Sequence, residues 1–253
     1  LCNWVLSVGE AVQPLMDLMR EEILKTGYVQ ADETPVQILK EKETQSTKKG
    51  YMWAFLTGNA SEKPTVCYWF ATSRKKETAT DFFEGYQGIL QTDGYGGYDH
   101  LAQVPGILHA NCWTHARRPF YKLTQMTKKA GAAHYMVSLI QKLYKIEKEM
   151  VPGISYKEIK AIRQEKSTPI LKALHQWLLE KQSLTPPKGA LGQAITYALD
   201  RWKSLTLYLA HGRIKLDTND CENIIRPFAV GRKNWLFLGN ERGGKAAANL
   251  YSL

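Results

Sequence analysis

Two acidic residues occupy positions where a carboxylate is unusual unless its side chain has a partner. Asp32 interrupts a run of residues with high strand propensity at 28–39, and an acid is a poor strand residue unless it meets a partner or a metal ion. Asp93 directly follows a short apolar run at 88–92. The carboxyl end of a strand is where α/β sheets present ligand-binding groups.

A third acid, Glu222, lies in a segment with helical features. Asp217 or Thr218 could cap a helix there, and Glu222 and Arg226, four residues apart, would share one face of it. Taken singly, each of the three acids is more often a helix cap or a surface group. A catalytic role is therefore predicted only for the three acids together.

Carboxylates that converge at one edge of a sheet repel each other unless a cation neutralises them. Hard oxygen ligands suit Mg²⁺ or Mn²⁺. Two such ions can activate a water or a 3′-hydroxyl and stabilise the leaving oxygen during in-line attack on phosphorus. The acids Asp32, Asp93 and Glu222 thus predict phosphodiester cleavage with two Mg²⁺ or Mn²⁺ ions.

The charge of the chain agrees with a nucleic-acid substrate. Lys and Arg number 34 against 24 Asp and Glu, and the isoelectric point is about 9.3. Residues 111–150 alone carry eight Lys and Arg against two acids. A basic stretch of this kind indicates a polyanionic partner, although charge alone leaves a merely basic enzyme open.

Cations and aromatic residues beside the acids are candidate DNA contacts. Clustered cations near Glu222 could contact phosphates, while Arg226 could instead pair with Glu222. Tyr95 and Tyr98, in the glycine-rich loop after Asp93, could stack on unpaired bases, whereas core packing is favoured for Trp235 and Phe237. The predicted DNA contacts are Tyr95, Tyr98, His115, Arg117, Arg118, Lys122, Arg226, Arg232 and Lys233.

Other motifs exclude several function classes. Cys112 and His115 have the spacing of half a zinc site, but no second pair follows, which disfavours a closed structural zinc site. His115 is open to a water-orienting, a phosphate-contacting or a purely structural role. No phosphate-binding loop, dinucleotide fingerprint or serine-nucleophile elbow is present, so neither a nucleotide cofactor nor serine hydrolase chemistry is expected.

The hydrophobic pattern predicts a mixed α/β protein with a helical insertion. An amphipathic N-terminal helix precedes three short strand-like runs that favour an antiparallel meander, and later strands alternate with helices, which favours parallel pairing. Strand signals vanish between residues 125 and 209. The predicted divisions are an N-terminal helix and linker at 1–26, catalytic segments at 27–124 and 211–253, and an insertion at 125–210.

Cysteine usage and hydropathy suggest an intracellular protein. The four cysteines are scattered, unlike those of small secreted domains, and no apolar run is long enough to cross a bilayer. The chain begins at Leu1 and stops at Leu253 after a helical segment. We therefore expect a soluble protein fragment with both ends cut.

Four segments, in this order, resemble transposases of insertion-sequence family sixty-six. They are QADETPVQ at 30–37, LQTDGYGGY at 90–98, CWTHARR at 112–118 and CENIIRPFAVGRKNWLF at 221–237. The resemblance covers nearly the whole chain. It implies an RNase H-like fold of the DDE type, in which Asp32, Asp93 and Glu222 fall on the three metal-binding acids.

The resemblance also implies a function and its setting. The expected function is metal-dependent cleavage and strand transfer at transposon ends, by a homo-oligomer assembled on DNA in the bacterial cytoplasm, with a helical insertion before the third acid. The resemblance further implies an upstream DNA-recognition region, which we expect this chain to lack. Two alternatives stay open: an RNase H-like nuclease without strand transfer, and a catalytically inactive, transposon-derived DNA-binding remnant.

Overall fold

The sheet at the centre of the fold has six strands in the order β3-β2-β1-β4-β5, with β6 paired to β1. The computed structural model describes residues 2–39, 48–58, 64–126 and 131–253. The strands are β1 (Tyr28–Ile38), β2 (Lys48–Thr57), β3 (Val66–Ala71), β4 (Gly88–Thr92), β5 (Ile107–Asn111) and β6 (Phe237–Leu238).

Strand pairing confirms both predicted arrangements. Strand β2 is antiparallel to β1 and to β3, which is the predicted meander, and β4 is parallel to β1. Parallel neighbours end at the same edge of the sheet, so the residues that follow β4 emerge beside the middle of β1. The result is a mixed α/β architecture.

Alternation along β1 sends successive side chains to opposite faces of the sheet. Val29 and Ala31 belong to a core cluster with Trp53 and Phe55 of β2. The other face carries a second cluster, which includes Met52 and Ala54, Tyr68 of β3 and residues from helices that follow Thr218. The two apolar clusters fix the register of β1, because a slip of one residue would exchange its faces.

Eleven helices occur in the described ranges. They are α1 (Cys2–Ala11), α2 (Gln13–Lys25), α3 (Lys76–Phe82), α4 (Trp113–Met126), α5 (Ala132–Glu149), α6 (Tyr156–Ile162), α7 (Thr168–Leu184), α8 (Ala190–Asp200), α9 (Trp202–Thr206), α10 (Asn219–Trp235) and α11 (Glu241–Ser252). Within these ranges no helix is both long enough and apolar enough to cross a membrane.

The N-terminal helix differs from its prediction. It divides at Val12 into α1 and α2, and α2 has a proline, Pro14, in its first turn. Four of its apolar residues, expected to pack inward, are exposed by 44–57 %: Val5, Val8, Leu15 and Leu18. Helical spacing showed that these residues share a face, but it could not show that the face has a neighbour to cover it.

The chain divides into two compact units. The first comprises Leu1–His109 and Thr218–Leu253, and the second comprises Ala110–Asp217. The second unit is helical beyond the end of β5 and includes α4, which the sequence pattern had grouped with the first catalytic segment. Its core contains Ile140 and Leu143 of α5, Leu174 of α7 and Ile195 of α8, all fully buried.

Candidate active site

Asp32 and Asp93 lie on neighbouring parallel strands at matching positions. The last paired residues of the β1 and β4 ladder are Ala31 and Thr92, so each acid is the next residue along its own strand. Both are partly buried. The Asp93 carboxylate accepts a hydrogen bond from the backbone N–H of Tyr95 at 2.7 Å, a local turn that lets the chain leave β4 directly after the acid.

Helix α10 lies over the face of the sheet that carries Asp32. Asp32 pairs with Ala54 of β2, and Ala54 pairs with Tyr68 of β3, so the three form one row across the sheet. The Cys221 thiol donates to the Ala54 carbonyl at 3.6 Å, and the Tyr68 hydroxyl donates to the Ile224 carbonyl. These contacts fix the first turn of α10 above the row.

Glu222 follows Cys221 in this fixed turn and is partly buried. Thr218, one of the two predicted candidates, is the N-cap residue, but its side chain forms no capping hydrogen bond within the helix. The helix instead begins with the Glu222 N–H donating to the Thr218 carbonyl at 3.0 Å. A carboxylate in the first turn is favoured by the positive end of the helix dipole.

The other two acids act electrostatically on Asp32. Burial, followed by the charges of Asp93, Glu33 and Glu222, raises the pKa of Asp32 to about 8, although a hydrogen bond from the Glu33 N–H opposes the shift. Like charges raise a carboxyl pKa only when they lie nearby in a poorly hydrated region. Asp93 and Glu222 therefore both lie close enough to Asp32 to repel its ionised form.

The donor types fit a hard divalent cation. Three carboxylates supply only oxygen ligands, and a cation among them would relieve the repulsion that raises the pKa of Asp32. In the described part of the chain, however, no three Asp, Glu, His or Cys side chains are grouped closely enough to hold an ion. The two-ion site thus stays a prediction, and ligation requires the side chains of Asp32, Asp93 and Glu222 to draw closer.

A buried acid beside Asp32 was missed by the sequence argument. The Glu33 side chain has no exposed surface and forms an ion pair with Arg74, whose Nε lies 2.6 Å from Oε1. The Tyr98 hydroxyl donates to Oε2 at 2.7 Å. Burial raises the pKa of Glu33, while Tyr98 and Arg74 oppose the shift. These contacts tie β1 to the loop that carries Asp93.

The two predicted stacking tyrosines of this loop have different environments. Tyr98 is fully buried, so its ring is not available to a base, and we leave it out of the proposed DNA contacts. Tyr95 is partly exposed; its hydroxyl donates to the Arg74 carbonyl at 2.5 Å, and the Arg74 guanidinium lies 3.7 Å from its ring centroid. One face of the Tyr95 ring is therefore covered by Arg74.

The predicted cations of α10 also differ. Arg226 and Lys233 are exposed, and neither forms an ion pair with a described residue, so the alternative pairing of Arg226 with Glu222 is not observed. Arg232 is partly buried and donates to the Thr34 hydroxyl at 3.0 Å and to the Pro35 carbonyl. Arg232 therefore attaches α10 to β1.

Four predicted DNA contacts lie on α4, in the second unit. Arg118 and Lys122 are exposed, whereas His115 and Arg117 are partly buried, and the Arg117 guanidinium lies 4.8 Å from the ring centroid of Tyr121. Cys112, which precedes the helix, is buried and is not part of a disulfide. Two further cations of this basic stretch, Lys128 and Lys129, lie outside the described residues.

Residues 1–246 match the family described as Transposase IS66 family. The chain belongs to the IS66 transposase family. This confirms the resemblance carried by the four motifs, because the match spans all of them. No solved structure has a significant match to the chain, so the RNase H-like form of its mixed α/β fold stays a prediction.

Three related proteins of Sinorhizobium fredii, all described as uncharacterized, resemble the chain along most of its length. Protein y4hP is 30% identical over 94% of this chain and 46% of its own length. Protein y4qI is 32% identical over 100% of this chain and 48% of its own length, and y4jD is 32% identical over 99% and 50%. The IS66 chain thus spans about half the length of the curated relatives it matches.

Proposed function

We propose that this chain is the catalytic core of a DDE-type DNA transposase, which cleaves DNA at transposon ends and joins the free 3′-hydroxyl to target DNA. One observation carries the proposal. Asp32 and Asp93 continue paired parallel strands, and α10, which carries Glu222, is fixed over the same face by Cys221. Membership of the IS66 transposase family supports this assignment.

Each acid has a proposed role. Asp32, Asp93 and Glu222 would hold two Mg²⁺ or Mn²⁺ ions, which when bound activate the attacking oxygen and stabilise the leaving one. Asp32 lies within β1, and the residues directly before and after it are buried. The packing of these neighbours therefore holds the backbone that carries its carboxylate. Glu33, with Arg74 and Tyr98, would hold the Asp93 loop in register with β1 and is a positioning residue.

The proposed DNA contacts are exposed cations of both units, which we expect to bind phosphates. In the first unit they are Arg226 and Lys233, and in the second they are Arg118 and Lys122, with Arg117 and His115 beside them. Tyr95 remains a candidate for base contact. Assembly as a homo-oligomer on DNA ends belongs to the same proposal.

The test separates metal chemistry from DNA binding. A labelled duplex with a free 3′-hydroxyl is incubated with supercoiled plasmid and Mg²⁺, and nicking and joining are scored on gels. Asp93→Asn should reduce both by at least about a thousandfold, because loss of a ligand removes an ion. Its DNA affinity without metal should be unchanged or slightly higher, because one repulsive charge is gone.

Asp81→Asn is the matched control, because Asp81 is an exposed acid of the same unit, and it should retain full activity. Nicking without joining by the unsubstituted protein would favour a nuclease. DNA binding with neither reaction would favour an inactive remnant. Full cleavage by the Asp93→Asn protein would refute the assignment of the acids.

A further inference from the structure

The edge of β1 that faces away from β2 is open in its middle. On that side β1 pairs with β4 through Tyr28–Ala31 and with β6 through Gln37 and Ile38. Between these two ladders, residues 32–36 have no strand partner on this side in the described part of the chain. Side chains rather than a strand cover part of this stretch, because the Glu33 N–H donates to the Asp32 carboxylate and the Pro35 carbonyl accepts from Arg232; the unpaired stretch begins at Asp32.

A groove of about 470 Å³ lies at the far end of this open edge. Its lining combines apolar and basic side chains from β1, β2 and the end of α10. The lining residues are Pro35, Val36, Gln37, Lys49, Arg232, Leu236 and Phe237. Asp32 and Gln37 are five residues apart on one strand, which corresponds to roughly 16 Å, a distance that a few nucleotides span.

The side chain of Phe237 lines this groove, and its backbone is held by pairing in the sheet. Its backbone pairs with Gln37, and Leu39 N–H donates to the carbonyl of the next residue, Leu238, at 2.8 Å. Leu238 points into the core, whereas Phe237 is 43 % exposed, so the core packing expected for Phe237 from the sequence is wrong. Such an aromatic ring, held by the sheet and open to solvent, has the properties of a stacking platform for a base.

Leu236, beside it, is held in an unfavourable conformation. Its φ is +62°, the only positive φ of a non-glycine residue among those described, and its side chain is 60 % exposed. An exposed apolar residue that keeps a costly backbone conformation and gains no burial is typical of a functional position. Leu236 is the single residue that connects α10 to β6.

The positive charge of the groove indicates which kind of ligand it binds. Lys49 lines the groove, is exposed and forms no ion pair with a described residue, and Arg232 also lines it. Cations around an exposed aromatic ring match a single-stranded nucleic acid, in which phosphates and unstacked bases are both accessible. An apolar peptide would leave these positive charges without partners.

We propose that this groove binds the single-stranded DNA that flanks the reacting phosphodiester, with an unpaired base stacked on Phe237 and a phosphate on Lys49. The strand runs from the acids along the open edge of β1. This inference rests on the proposed function, because it assigns the DNA path to the same site.

Binding to a single-stranded oligodeoxynucleotide that contains 2-aminopurine tests the proposal, in metal-free buffer so that catalysis is not required. Phe237→Ala should weaken binding about tenfold, within the range of base stacking on an aromatic ring, and should abolish the fluorescence quenching caused by stacking. Phe237→Tyr should restore both. Lys49→Ala should reduce the salt-dependence slope by about one.

Trp4→Ala serves as the matched control, and Leu236→Gly is a second test of the groove. Trp4→Ala removes a more exposed aromatic residue of the same unit and should leave single-strand affinity unchanged. Leu236→Gly relieves the positive φ and should unfold at a temperature no lower than the unsubstituted protein, yet bind single-stranded DNA more weakly. Thermal unfolding of every variant confirms that it is folded.

The outcomes separate this inference from the proposed function. Equal affinities for Phe237→Ala and Trp4→Ala would overturn the groove assignment, as would an equal loss on blunt duplex DNA. Altered self-association in sedimentation with unchanged DNA affinity would show a protein interface and would also overturn it. Phe237-dependent binding by a protein that never cleaves would uphold the groove and reject the transposase.

Discussion

At the scale of single residues, Asp32 and Glu33 show how alternation along a strand separates two functions. Asp32 lies on the face covered by α10, while Glu33 points to the opposite face, where Arg74 and Tyr98 hold it. The sequence singled out Asp32 because it interrupts a strand. It did not reveal Glu33, because the partners that make its burial tolerable lie 41 and 65 residues away and no local pattern connects them.

The raised pKa of Asp32 predicts a stability profile for the metal-free protein. Its pKa is about 8 in the folded chain, above the ordinary 3.8, so folding favours the protonated form. That contribution is fully present below pH 4 and is lost as the pH rises to 8. Urea denaturation between pH 5 and pH 8 should show a falling free energy of unfolding, and Asp32→Asn should flatten the fall. Asp81→Asn should retain the full decrease in the free energy of unfolding. An equal decrease in Asp32→Asn and Asp81→Asn would refute the assignment of this pH dependence to Asp32.

The ion pair between Arg74 and Glu33 predicts strong energetic coupling. Removing one partner of a buried pair costs about 3–5 kcal/mol, and because the Arg74 side chain is 38% exposed, we expect Arg74→Met to cost about 2 kcal/mol. The double variant Glu33→Gln with Arg74→Met should lose less than the sum of the single variants. Lys75→Met, an exposed neighbour, is the control in chemical denaturation. Strict additivity would contradict the pairing.

At the scale of elements, the sequence was most informative where one periodicity dominates. Strand β4 begins and ends as predicted at Gly88–Thr92, because glycine and the Asp-Gly turn delimit an apolar run. The secondary structure of the segment before Gly239 was harder to predict from the sequence. Helix α10 continues to Trp235, and only Phe237–Leu238 forms a strand. The strand exists through its pairing with β1, which is a tertiary contact that no window of sequence contains.

The helical unit contains a buried ion pair that the sequence did not predict. Arg163, in a π-helical turn, donates to Glu147 at 2.8 and 2.6 Å and to the Tyr208 carbonyl at 3.1 Å. Its side chain is only 4% exposed. A π-helical turn widens the helix by one residue, and here the guanidinium of its first residue joins α5 to the segment after α9.

Substitution of Arg163 should therefore destabilise the helical unit. Arg163→Met leaves Glu147 partly buried without its cation and removes the donor to the Tyr208 carbonyl, so we expect a loss of about 3–5 kcal/mol. Lys145→Met is the matched control, because Lys145 pairs with Glu149 on an exposed face of α5, the helix that carries Glu147. This substitution should cost at most about 0.5 kcal/mol. Guanidinium denaturation measures both; equal losses would show that the Arg163 pair is not structural.

At the scale of the whole molecule, the candidate site was predictable in its residue types but not in its support. Asp32 was found because it interrupts a strand, and Asp93 and Glu222 were found because they lie at a strand end and on a predicted helix. Their common location was inferred from strand order and from family resemblance. The contacts that set it come from residues without a local signal: the Cys221 thiol on the Ala54 carbonyl and the Tyr68 hydroxyl on the Ile224 carbonyl. Such contacts depend on which elements pack together, which only the folded chain specifies.

The excess of positive charge leads to a last prediction, in which phosphate binding is separated from catalysis. Arg118 is exposed on α4, and Arg117 precedes it with its guanidinium near the ring of Tyr121. Changing both to Ala should weaken binding to DNA of any sequence, because phosphate contacts carry no sequence information. Two fewer phosphate contacts release fewer counterions, so the slope of log affinity against log salt should fall by about two.

Gel-shift titrations over a salt series measure this slope, with Lys172→Ala combined with Lys188→Ala as the control. These two lysines are also exposed and belong to the same unit, so the control removes the same net charge from surfaces without a predicted DNA contact. A specific role for α4 requires the arginine pair to change the slope more than the lysine pair does. Equal changes would mean that net charge alone governs binding, and an unchanged slope in both would place the path of the DNA away from α4.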